Sequence, residues 1–384
     1  MCWGTLVYAA LCLMLCLAAP APFAAAATYF VAPNGNNSQE GTEKQPWKTL
    51  QKASDSVQPS DTVLIKAGLY SHAKGTWDVR CAGTAEAPIT FKARGDGEVR
   101  ISASTVLPAD GGKHFKGAIY QTEIRTPTTC VFQNGMPLVG PGKNQPVPSV
   151  NEMYPNSFFL AEKSTTLYVW LADGSDPGKS EMRTAPMHVI QMIGCNYTIF
   201  DGLTVEFGFN GFKEQKDSHH VTIRNCVIRS LRSQGIQPVP YNCVIEGNLF
   251  QRIGASRYEH AMYGSRPGII VRNNVFEEIG GAAVHQYTQG EVKADSGWEI
   301  SGNVFRKPRK YTTEKGGRYY TDLILWACDG NKVFNNSFYG EGKRSGIRLR
   351  TSNNRVYSNK FIRCPTVVDP GKGSGNEVRD NAIQ

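Results

Sequence analysis

The chain has 384 residues, a formal net charge of +9 and ten cysteines. This length is large for one ordinary globular core but normal for a repeat architecture. The cysteines are scattered and form no C-x-x-C pair, which argues against a zinc site and against a dense disulfide framework.

The first 27 residues contain no charged side chain and end in a run of alanines. An apolar segment with an Ala-x-Ala exit is typical of a secretory signal peptide, so residues 1–27 are predicted to be a signal and the protein to be secreted or periplasmic. The alternative is an uncleaved membrane anchor, because about 19 residues precede Pro20. No later segment is apolar enough to span a bilayer, and we expect a monomer.

The basic charge indicates a class of partner. Because the leader carries no charge, the whole excess of +9 lies in residues 28–384. A basic exported protein suits a polyanion, and export favours an acidic polysaccharide over nucleic acid. The alternative interpretation is a basic surface without a specific partner.

Residues 28–70 predict a strand, a turn rich in Gly and Asn, a helix and a second strand. The helix is predicted over PWKTLQKASDSV, residues 46–57, where Leu50, Ala53 and Val57 form an apolar stripe. A short helix at the end of a β-solenoid covers an edge that would otherwise aggregate. We therefore interpret this helix as an N-terminal cap.

Two segments follow the cap. Residues 87–102, APITFKARGDGEVRIS, are typical of further coils. Residues 105–190 fit no coil period and contain many Pro and Gly residues, which predicts an inserted lobe or long loops within a single domain over residues 28–384.

From residue 195 to residue 384 the sequence repeats itself. Eight copies of a short strand pattern, such as WEISGNVF at 298–305, align on one polar residue at gaps of 22 to 33 residues. Such a period signals a solenoid, and the β-branched and aromatic residues between Gly and Asn turns favour strands over helices. The sequence predicts an all-β fold, a right-handed parallel β-helix. The aligned residues are Asp201, Asn225, Asn248, Asn274, Asn303, Asn336, Asn359 and Asn381.

The repeated polar and aromatic residues have structural explanations. An Asn at a tight bend tolerates a left-handed backbone and can hydrogen-bond to the equivalent Asn of the next coil. The phenylalanine two positions later should stack inside the solenoid, which applies to Phe250, Phe276, Phe305, Phe338 and Phe361.

The opening TYFVAPNGNN, the segment GTAEAPITFKARGDGEVRIS and the I-x-x-N-x-F coils together resemble the secreted right-handed parallel β-helix proteins of the pectate-lyase-like superfamily. The polysaccharide-lyase-type members are the most similar. The resemblance covers nearly all of residues 28–384. It implies the fold, whereas activity varies within the superfamily among lyases, hydrolases, epimerases and non-catalytic adhesins.

One predicted sheet can be phased by its apolar residues. We expect a set of apolar side chains to point inward, and strand alternation then sends their successors outward. The inward set is Phe212, Ile236, Met262, Val284, Ile324 and Ile347. The outward column is Lys213, Gln237, Tyr263, His285, Leu325 and Arg348. A second outward column holds Gln215, Ser265, Tyr287 and Arg350.

The outward strip suits β-elimination of a uronate polymer. Arg binds carboxylates in a bidentate manner, His titrates near neutrality, and Tyr or Lys can complete the proton transfers. The predicted catalytic residues are therefore His285, Tyr263, Lys213 and Arg348. The strip contains no carboxylate, whereas hydrolysis needs a pair of them.

Five further residues are predicted to bind substrate, namely Tyr287, Arg350, Gln237, Arg266 and His260. Each candidate also has a structural interpretation. His285 can be a buried or merely exposed residue, Tyr263 and Tyr287 can be stacking platforms, Lys213, Arg348 and Arg350 can be solvated surface charges, and His260 can be a turn residue.

The resemblance also implies a metal, because several lyases of this fold use Ca²⁺ held by acidic residues to neutralise the carboxylate. The candidate ligands here are Asp201, Glu206 and Asp217, with Glu214 nearby, although they form no defined calcium loop. No cofactor is required by the residues themselves.

These observations predict a lyase that acts on an acidic polysaccharide. One alternative is a glycoside hydrolase on the same scaffold, which would need a carboxylate pair in the groove. The other is a non-catalytic carbohydrate-binding or surface protein.

Overall fold

The computed structural model describes residues 25–71, 75–108, 112–141, 147–161, 164–288, 297–309, 320–371 and 373–384. Most of the predicted signal peptide, residues 1–24, lies outside these ranges. Within them, no helix is long and apolar enough to cross a membrane.

The N-terminal part combines a cap with the first coils. Helix α1 (Leu50–Ser56) begins at Thr49, whose side chain accepts a hydrogen bond from the backbone N–H of Lys52 at 3.1 Å. Leu50, Ala53 and Val57 are buried against the solenoid, as the apolar stripe predicts. The strands of this part are β1 (Thr28–Val31), β2 (Thr62–Ile65), β3 (Gly68–Ser71), β4 (Trp77–Val79), β5 (Ile89–Ala93) and β6 (Val99–Ser102).

The inserted segment forms a lobe of antiparallel strands. In the described residues it contains two four-stranded sheets, ordered β11-β10-β14-β7 and β12-β13-β9-β8, and two short 3-10 helices (Val150–Glu152 and Pro177–Lys179). Its strands are β7 (Thr105–Val106), β8 (Lys113–Lys116), β9 (Ile119–Glu123), β10 (Cys130–Gln133), β11 (Met136–Pro137), β12 (Ser157–Leu160), β13 (Thr166–Trp170) and β14 (Met182–Ala185).

The remaining chain winds into coils of short strands. These are β15 (Ile190–Ile193), β16 (Thr198–Asp201), β17 (Thr204–Gly208), β18 (Phe212–Gln215), β19 (Thr222–Arg224), β20 (Val227–Leu231), β21 (Ile236–Gln237), β22 (Val244–Glu246), β23 (Leu249–Ile253), β24 (Met262–Gly264), β25 (Ile270–Arg272), β26 (Val275–Glu277), β27 (Val284–Tyr287), β28 (Glu299–Ser301), β29 (Val304–Arg306), β30 (Tyr320–Trp326), β31 (Lys332–Phe334), β32 (Ser337–Tyr339), β33 (Arg344–Leu349), β34 (Arg355–Tyr357), β35 (Lys360–Ile362), β36 (Val368–Asp369), β37 (Glu377–Arg379) and β38 (Ala382–Ile383).

Three long parallel sheets run the length of the solenoid across the described ranges. They are ordered β1-β2-β5-β16-β19-β22-β25-β28-β31-β34-β37, then β4-β15-β18-β21-β24-β27-β30-β33-β36, then β3-β6-β17-β20-β23-β26-β29-β32-β35-β38. Parallel neighbours connected by crossovers are right-handed in almost all proteins. The predicted right-handed parallel β-helix with a short capping helix is confirmed.

The asparagine ladder forms, but its first two positions are displaced. Each interior ladder Asn donates its backbone N–H and its side-chain amide to the Oδ1 of the next one; for Asn303 and Asn336 both distances are 2.9 Å. The members are Asn248, Asn274, Asn303, Asn336, Asn359 and Asn381. Cys226, and not Asn225, occupies the position below Asn248.

The left-handed residue of each bend precedes the ladder Asn, contrary to the prediction. Gly302, Asn335 and Ser358 have φ values of 65°, 56° and 54°. The ladder Asn uses both its backbone N–H and its side-chain amide for hydrogen bonds between coils. The residue before it therefore adopts the left-handed conformation of the turn. A second ladder, which the sequence analysis missed, joins Asn331, Asn354 and Asn376.

The predicted phenylalanine stack fills the interior. Successive rings of Phe250, Phe276, Phe305, Phe338 and Phe361 are nearly parallel, with centroids 4.5–5.1 Å apart. All five are essentially inaccessible to solvent. The stack and the ladders together hold the coils in register, so a side chain on one coil has a fixed neighbour on the next.

Candidate functional site

The sheet β4-β15-β18-β21-β24-β27-β30-β33-β36 carries the predicted strip. Its register pairs Tyr263 with His285, His285 with Ile324, and Ile324 with Arg348. Tyr263 and His285 are therefore neighbours on one face, with ring centroids 5.3 Å apart. Tyr287 lies beside them, and its ring centroid is 5.5 Å from that of His285.

The predicted phase of β30 is wrong. Leu323 and Leu325 are buried, and Ile324 stands in the outward column where Leu325 was expected. The segment LILWA is apolar at every position, so apolar character alone cannot show which residues point inward. The corrected phase brings Trp326, which is 44% exposed, next to Tyr287.

A cleft of about 370 Å³ opens at this part of the sheet. Its described lining contains three arginines, three aromatic residues other than histidine, two histidines and no carboxylate. The lining residues are Arg257, Tyr258, His260, Ala282, His285, Tyr320, Thr321, Ile324, Trp326, Arg348 and Arg350.

A pair of histidines forms the floor of the cleft. His260 Nε2 lies 2.9 Å from His285 Nδ1, and the backbone N–H of Ala282 donates to His260 Nδ1 at 2.9 Å. Burial, assisted by the charge of Arg348, lowers the pKa of His285 to about 4. Burial also holds the pKa of His260 well below its ordinary value, with His285 as the next cause. Both rings are therefore neutral near pH 7.

Two arginines at the end of β33, Arg348 and Arg350, line the same cleft as the two histidines. Arg348 Nε lies 3.3 Å and Arg350 Nη2 lies 3.7 Å from Asp369 Oδ2. Asp369 pairs with Arg348 in the register, so the outward strip does contain one carboxylate, which the sequence analysis did not foresee. This carboxylate is engaged by both guanidinium groups and does not line the cleft.

The walls of the cleft are aromatic. Trp326 meets Tyr287 edge to face, with centroids 5.3 Å apart. Opposite, Arg257 donates to Tyr320 Oη at 2.8 Å and to Tyr258 Oη at 2.5 Å. Sequence reasoning missed Arg257, Tyr258 and Tyr320, because they lie in loops or at a strand end outside the repeat pattern.

Lys213 and Gln237 lie in the predicted column but away from the cleft. Their strands pair directly, so Lys213 is three strands, or about 14 Å, from His285. Burial lowers the pKa of Lys213, and Gln237 Oε1 accepts a hydrogen bond from the Asn210 side chain at 3.2 Å. The structure does not place Lys213 beside Tyr263, His285 and Arg348.

Arg266, predicted to bind substrate, contacts Glu214, Asp217 and Tyr241 instead. One of its nitrogens, Nη2, lies 3.1 Å from Glu214 Oε2 and 3.0 Å from Asp217 Oδ1, and its guanidinium stacks over Tyr241 at 4.2 Å. Burial raises the pKa of Glu214. Arg266 does not line the cleft.

The structure does not bring the predicted calcium ligands together. Asp201 ends a strand of the β1 sheet and pairs with Arg224 at 3.0 Å, whereas Glu206 lies in the β3 sheet and pairs with Arg100 at 2.6 Å. Asp217 lies in the turn after β18 and pairs with Arg266. Each carboxylate is neutralised by arginine in a different place, so the set offers no shared site.

Comparison with known families supports the fold. Residues 173–382 match the model of the family described as Periplasmic copper-binding protein (NosD), and residues 33–78 match that described as Protein of unknown function (DUF1565).

Two curated relatives match over short stretches. The uncharacterized protein YwoF of Bacillus subtilis is 38% identical over 81 residues, which are 21% of this chain and 17% of that protein. A lacto-N-biosidase of Bifidobacterium longum is 34% identical over 108 residues, 26% of this chain and 6% of that protein. The chain thus matches less than a fifth of the length of either relative.

Solved structures are similar over most of the chain. XylC in complex with xylose has a TM-score of 0.66 and 14% identity, covering 91% of this chain and 67% of that one. A glycoside hydrolase has a TM-score of 0.61 and 11% identity, covering 93% and 97%. An alginate lyase from Paenibacillus has a TM-score of 0.53 and 12% identity, covering 93% and 98%. At these identities the likeness shows the parallel β-helix fold.

Proposed function

We infer that this chain, which belongs to the NosD family through a match to more than half of its length, is a carbohydrate-active enzyme. Its proposed reaction is β-elimination in an acidic, uronate-containing polysaccharide. Lyases and hydrolases both occur among proteins of similar fold, so the choice between them depends on the site.

The composition of the cleft carries this proposal. Arg257, Arg348 and Arg350 line it together with Tyr258 and Trp326, and its described lining contains no Asp or Glu. Hydrolysis by the usual route needs two carboxylates across the scissile bond. Elimination needs instead a positively charged site that binds the uronate carboxylate. Guanidinium groups bind carboxylates strongly and with defined geometry.

The residues can be assigned to the steps of elimination. Arg348 and Arg350 would hold the C6 carboxylate, which makes the C5–H bond more acidic. The C5 proton passes to a base, the electron pair forms the C4–C5 double bond, and the C4–O bond breaks. The leaving oxygen then takes up a proton.

We assign Tyr258 to proton transfer. Its deprotonated oxygen, held by the hydrogen bond from Arg257, would take the C5 proton, and the resulting O–H would give that proton to the leaving oxygen. Tyr263, predicted as catalytic, does not line the cleft; its ring stacks on His260 with centroids 5.5 Å apart and supports the histidine pair. Trp326 offers an exposed ring face for a sugar.

The family description raises the question of copper. Copper sites in proteins use thiolate, imidazole or thioether ligands. No group of three His, Cys, Asp or Glu residues able to hold a metal ion occurs in the described ranges. These residues do not fit copper, and no step is assigned to it.

We propose that the protein is exported. The apolar, uncharged leader ending in alanines supports this, as does the periplasmic description of the family. Expression of the full chain followed by mass spectrometry of the mature N-terminus tests it: cleavage near residue 27 supports export, and an intact leader in the cytoplasmic fraction contradicts it.

The activity is tested by a screen of acidic polymers, namely alginate, pectate and chondroitin, against neutral glycans. Elimination produces an unsaturated uronate, whose ultraviolet absorbance rises with every cut. Arg348→Gln should slow the rise of this signal about 100-fold, while Arg379→Gln, an exposed arginine of the last coil, should leave it unchanged. Reducing ends released without ultraviolet absorbance would identify a hydrolase and contradict the proposal.

A further inference from the structure

The two histidines on the cleft floor have a proton arrangement that their contacts determine. The backbone N–H of Ala282 can only donate, and it points at His260 Nδ1 from 2.9 Å. His260 Nδ1 must therefore be an acceptor. Because a neutral imidazole has one N–H and one acceptor nitrogen, the proton of His260 lies on Nε2.

The same reasoning gives the position of the proton on His285. His260 Nε2–H points at His285 Nδ1, 2.9 Å away, so His285 Nδ1 accepts and the proton of His285 lies on Nε2. This Nε2 is buried and finds no hydrogen-bond partner in the described residues. A buried N–H without a partner costs about 1–3 kcal/mol, which points to a ligand atom as its partner.

The amide that determines this arrangement is held firmly. The loop before β27 is fixed by Arg344, which is 1% exposed and donates to the carbonyl oxygens of Gly281 at 2.5 Å and Ile279 at 2.8 Å. The backbone N–H of Gly281 also donates to Glu259 O at 2.6 Å. The Ala282 N–H cannot turn away from His260 without breaking these bonds.

We propose that His260 is a positioning residue that fixes His285 as a hydrogen-bond donor, with His285 Nε2–H directed at a carboxylate oxygen of the bound sugar. Arg348 and Arg350 line the same cleft, so the carboxylate is held between one neutral N–H and two guanidinium groups. His285 is then not the base that removes the C5 proton. The positioning role follows from the contacts alone, while the carboxylate as ligand rests on the proposed function.

Chemistry distinguishes this role from that of a merely buried polar pair. A structural pair would be complete with its own hydrogen bonds, whereas His285 Nε2–H lies buried without a partner in the described residues until a ligand atom accepts from it. The arrangement also removes any need for the imidazole to ionise, because a neutral N–H already donates to a carboxylate oxygen.

The test uses the full chain with ¹⁵N-labelled histidine, and NMR correlations that distinguish protonated from unprotonated ring nitrogens. We expect both His260 and His285 to carry the proton on Nε2 at pH 7 and at pH 5.5. Addition of an oligogalacturonate or an oligomannuronate should shift His285 Nε2 and leave His188 unchanged. A proton on His285 Nδ1 in the free protein overturns the inference whatever the activity.

Two variants separate positioning from packing. In His260→Gln the amide oxygen can accept from Ala282 and the amide nitrogen can donate to His285, so the Nε2–H tautomer and most activity should remain. His260→Leu removes both bonds, and we expect mixed tautomers and a loss of kcat/KM of about 10- to 100-fold. If His260→Leu does not fold, the wild-type spectrum and His260→Gln still decide the tautomer.

The result also separates this inference from the proposed function. The predicted tautomer, with no response to any uronate and no cleavage, would refute the carboxylate as ligand together with the proposed function and leave the positioning role standing. Equal activity and equal spectra in His260→Gln and His260→Leu would refute the positioning role.

Discussion

His260 Nε2 lies 2.9 Å from His285 Nδ1, with the two rings nearly perpendicular, although the residues belong to successive coils. The contact depends on Gly281, because a Cβ added there would stand 2.6 Å from His260 Nδ1 and 2.6 Å from the carbonyl oxygen of Glu259. The glycine-rich segment before β27 thus lets one coil approach the histidine of the coil below.

Gly281→Ala should damage both the fold and the site. The added methyl group has no room between two coils, and forced packing of this kind costs about 1–3 kcal/mol. Urea unfolding should show that loss, and the NMR signals of His260 should shift. Gly117→Asn is the matched control, since a Cβ at Gly117 meets nothing within 4 Å and Asn tolerates its φ of 61°. An unchanged stability of Gly281→Ala would contradict the close packing described here.

Arg348 should dominate recognition of the substrate charge. In Arg348→Gln, Asp369 keeps Arg350 at 3.7 Å but loses the nearer partner at 3.3 Å, so a carboxylate remains near the place where an anionic sugar should bind. We expect kcat/KM on an acidic polymer to fall about 100-fold, as for loss of a charged hydrogen bond.

The double variant Arg348→Gln with Asp369→Asn provides the check on this explanation. Removing the charge of Asp369, which Arg350 alone then faces at 3.7 Å, should recover part of the lost binding, visible as a lower KM than in Arg348→Gln. A double variant no better than the single one would show that Asp369 does not act on the substrate.

Trp326 should contribute binding more than chemistry. Its ring is 44% exposed and stands edge-on to Tyr287 at 5.3 Å, so one face remains open to a sugar. Trp326→Ala should raise KM about 10-fold, the loss of an aromatic contact worth roughly 1–2 kcal/mol, with kcat little changed. Tyr339→Ala, a 38% exposed aromatic of β32 in a different sheet, should change neither constant.

The fold was predictable from sequence because the solenoid repeats its constraints. Each coil from Asn248 to Asn359 has an Asn with the same donors and acceptor and a Phe in the same stack, so one misaligned copy does not change the predicted fold. At the first two positions this redundancy is missing. Cys226 occupies the ladder position and donates only its backbone N–H to Asn248. Because no Asn side chain takes part there, the sequence pattern does not identify the position.

The site was predictable only where apolar and polar residues alternate. In β24 and β27 the buried Met262 and Val284 define the phase, and their neighbours Tyr263 and His285 follow from it. In β30 every residue of LILWA is apolar, so the sequence does not show which side chains point inward. Tyr258 and Arg257 reach the cleft from a loop whose path no periodicity describes, and Asp369 meets Arg348 only through the register of the last coils.

His188 should make the fold sensitive to acid. Burial, with the charge of Lys213, lowers the pKa of His188 to about 4 from an ordinary 6.5. Between these values the unfolded chain binds a proton that the folded chain does not, so stability falls as the pH decreases from 7 towards 4. His188→Gln should reduce the slope of unfolding free energy against pH by up to about 1.4 kcal/mol per pH unit.

Urea unfolding of wild type and His188→Gln at pH 7, 6 and 5 measures this difference. His285 and Asp322 also titrate in this range, with opposite signs, because burial lowers the pKa of His285 to about 4 and raises that of Asp322 to about 6. The comparison between the two proteins cancels both contributions. Parallel slopes would show that folding does not lower the pKa of His188.

The asparagine ladder should stabilise the solenoid most strongly in its interior. Asn303 Oδ1 accepts from the backbone N–H and the side chain of Asn274, at 2.9 and 3.0 Å, and its own amide donates to Asn336 at 2.9 Å and to Val271 O at 2.9 Å. Asn303→Ala removes the acceptor of both Asn274 donors and the side-chain donor to Val271 O, all of them buried. Each such group costs about 1–3 kcal/mol, so we expect a loss of roughly 3 kcal/mol or more in urea unfolding.

Asn381→Ala is the matched control at the last ladder position. Asn381 accepts from Asn359 in the same way but is half-buried, and water can replace part of what it provides. Its loss should cost less than half that of Asn303. Equal costs at the two positions would mean that the hydrogen bonds between coils contribute independently of burial, and the greater stability of interior coils would then have to come from the phenylalanine stack.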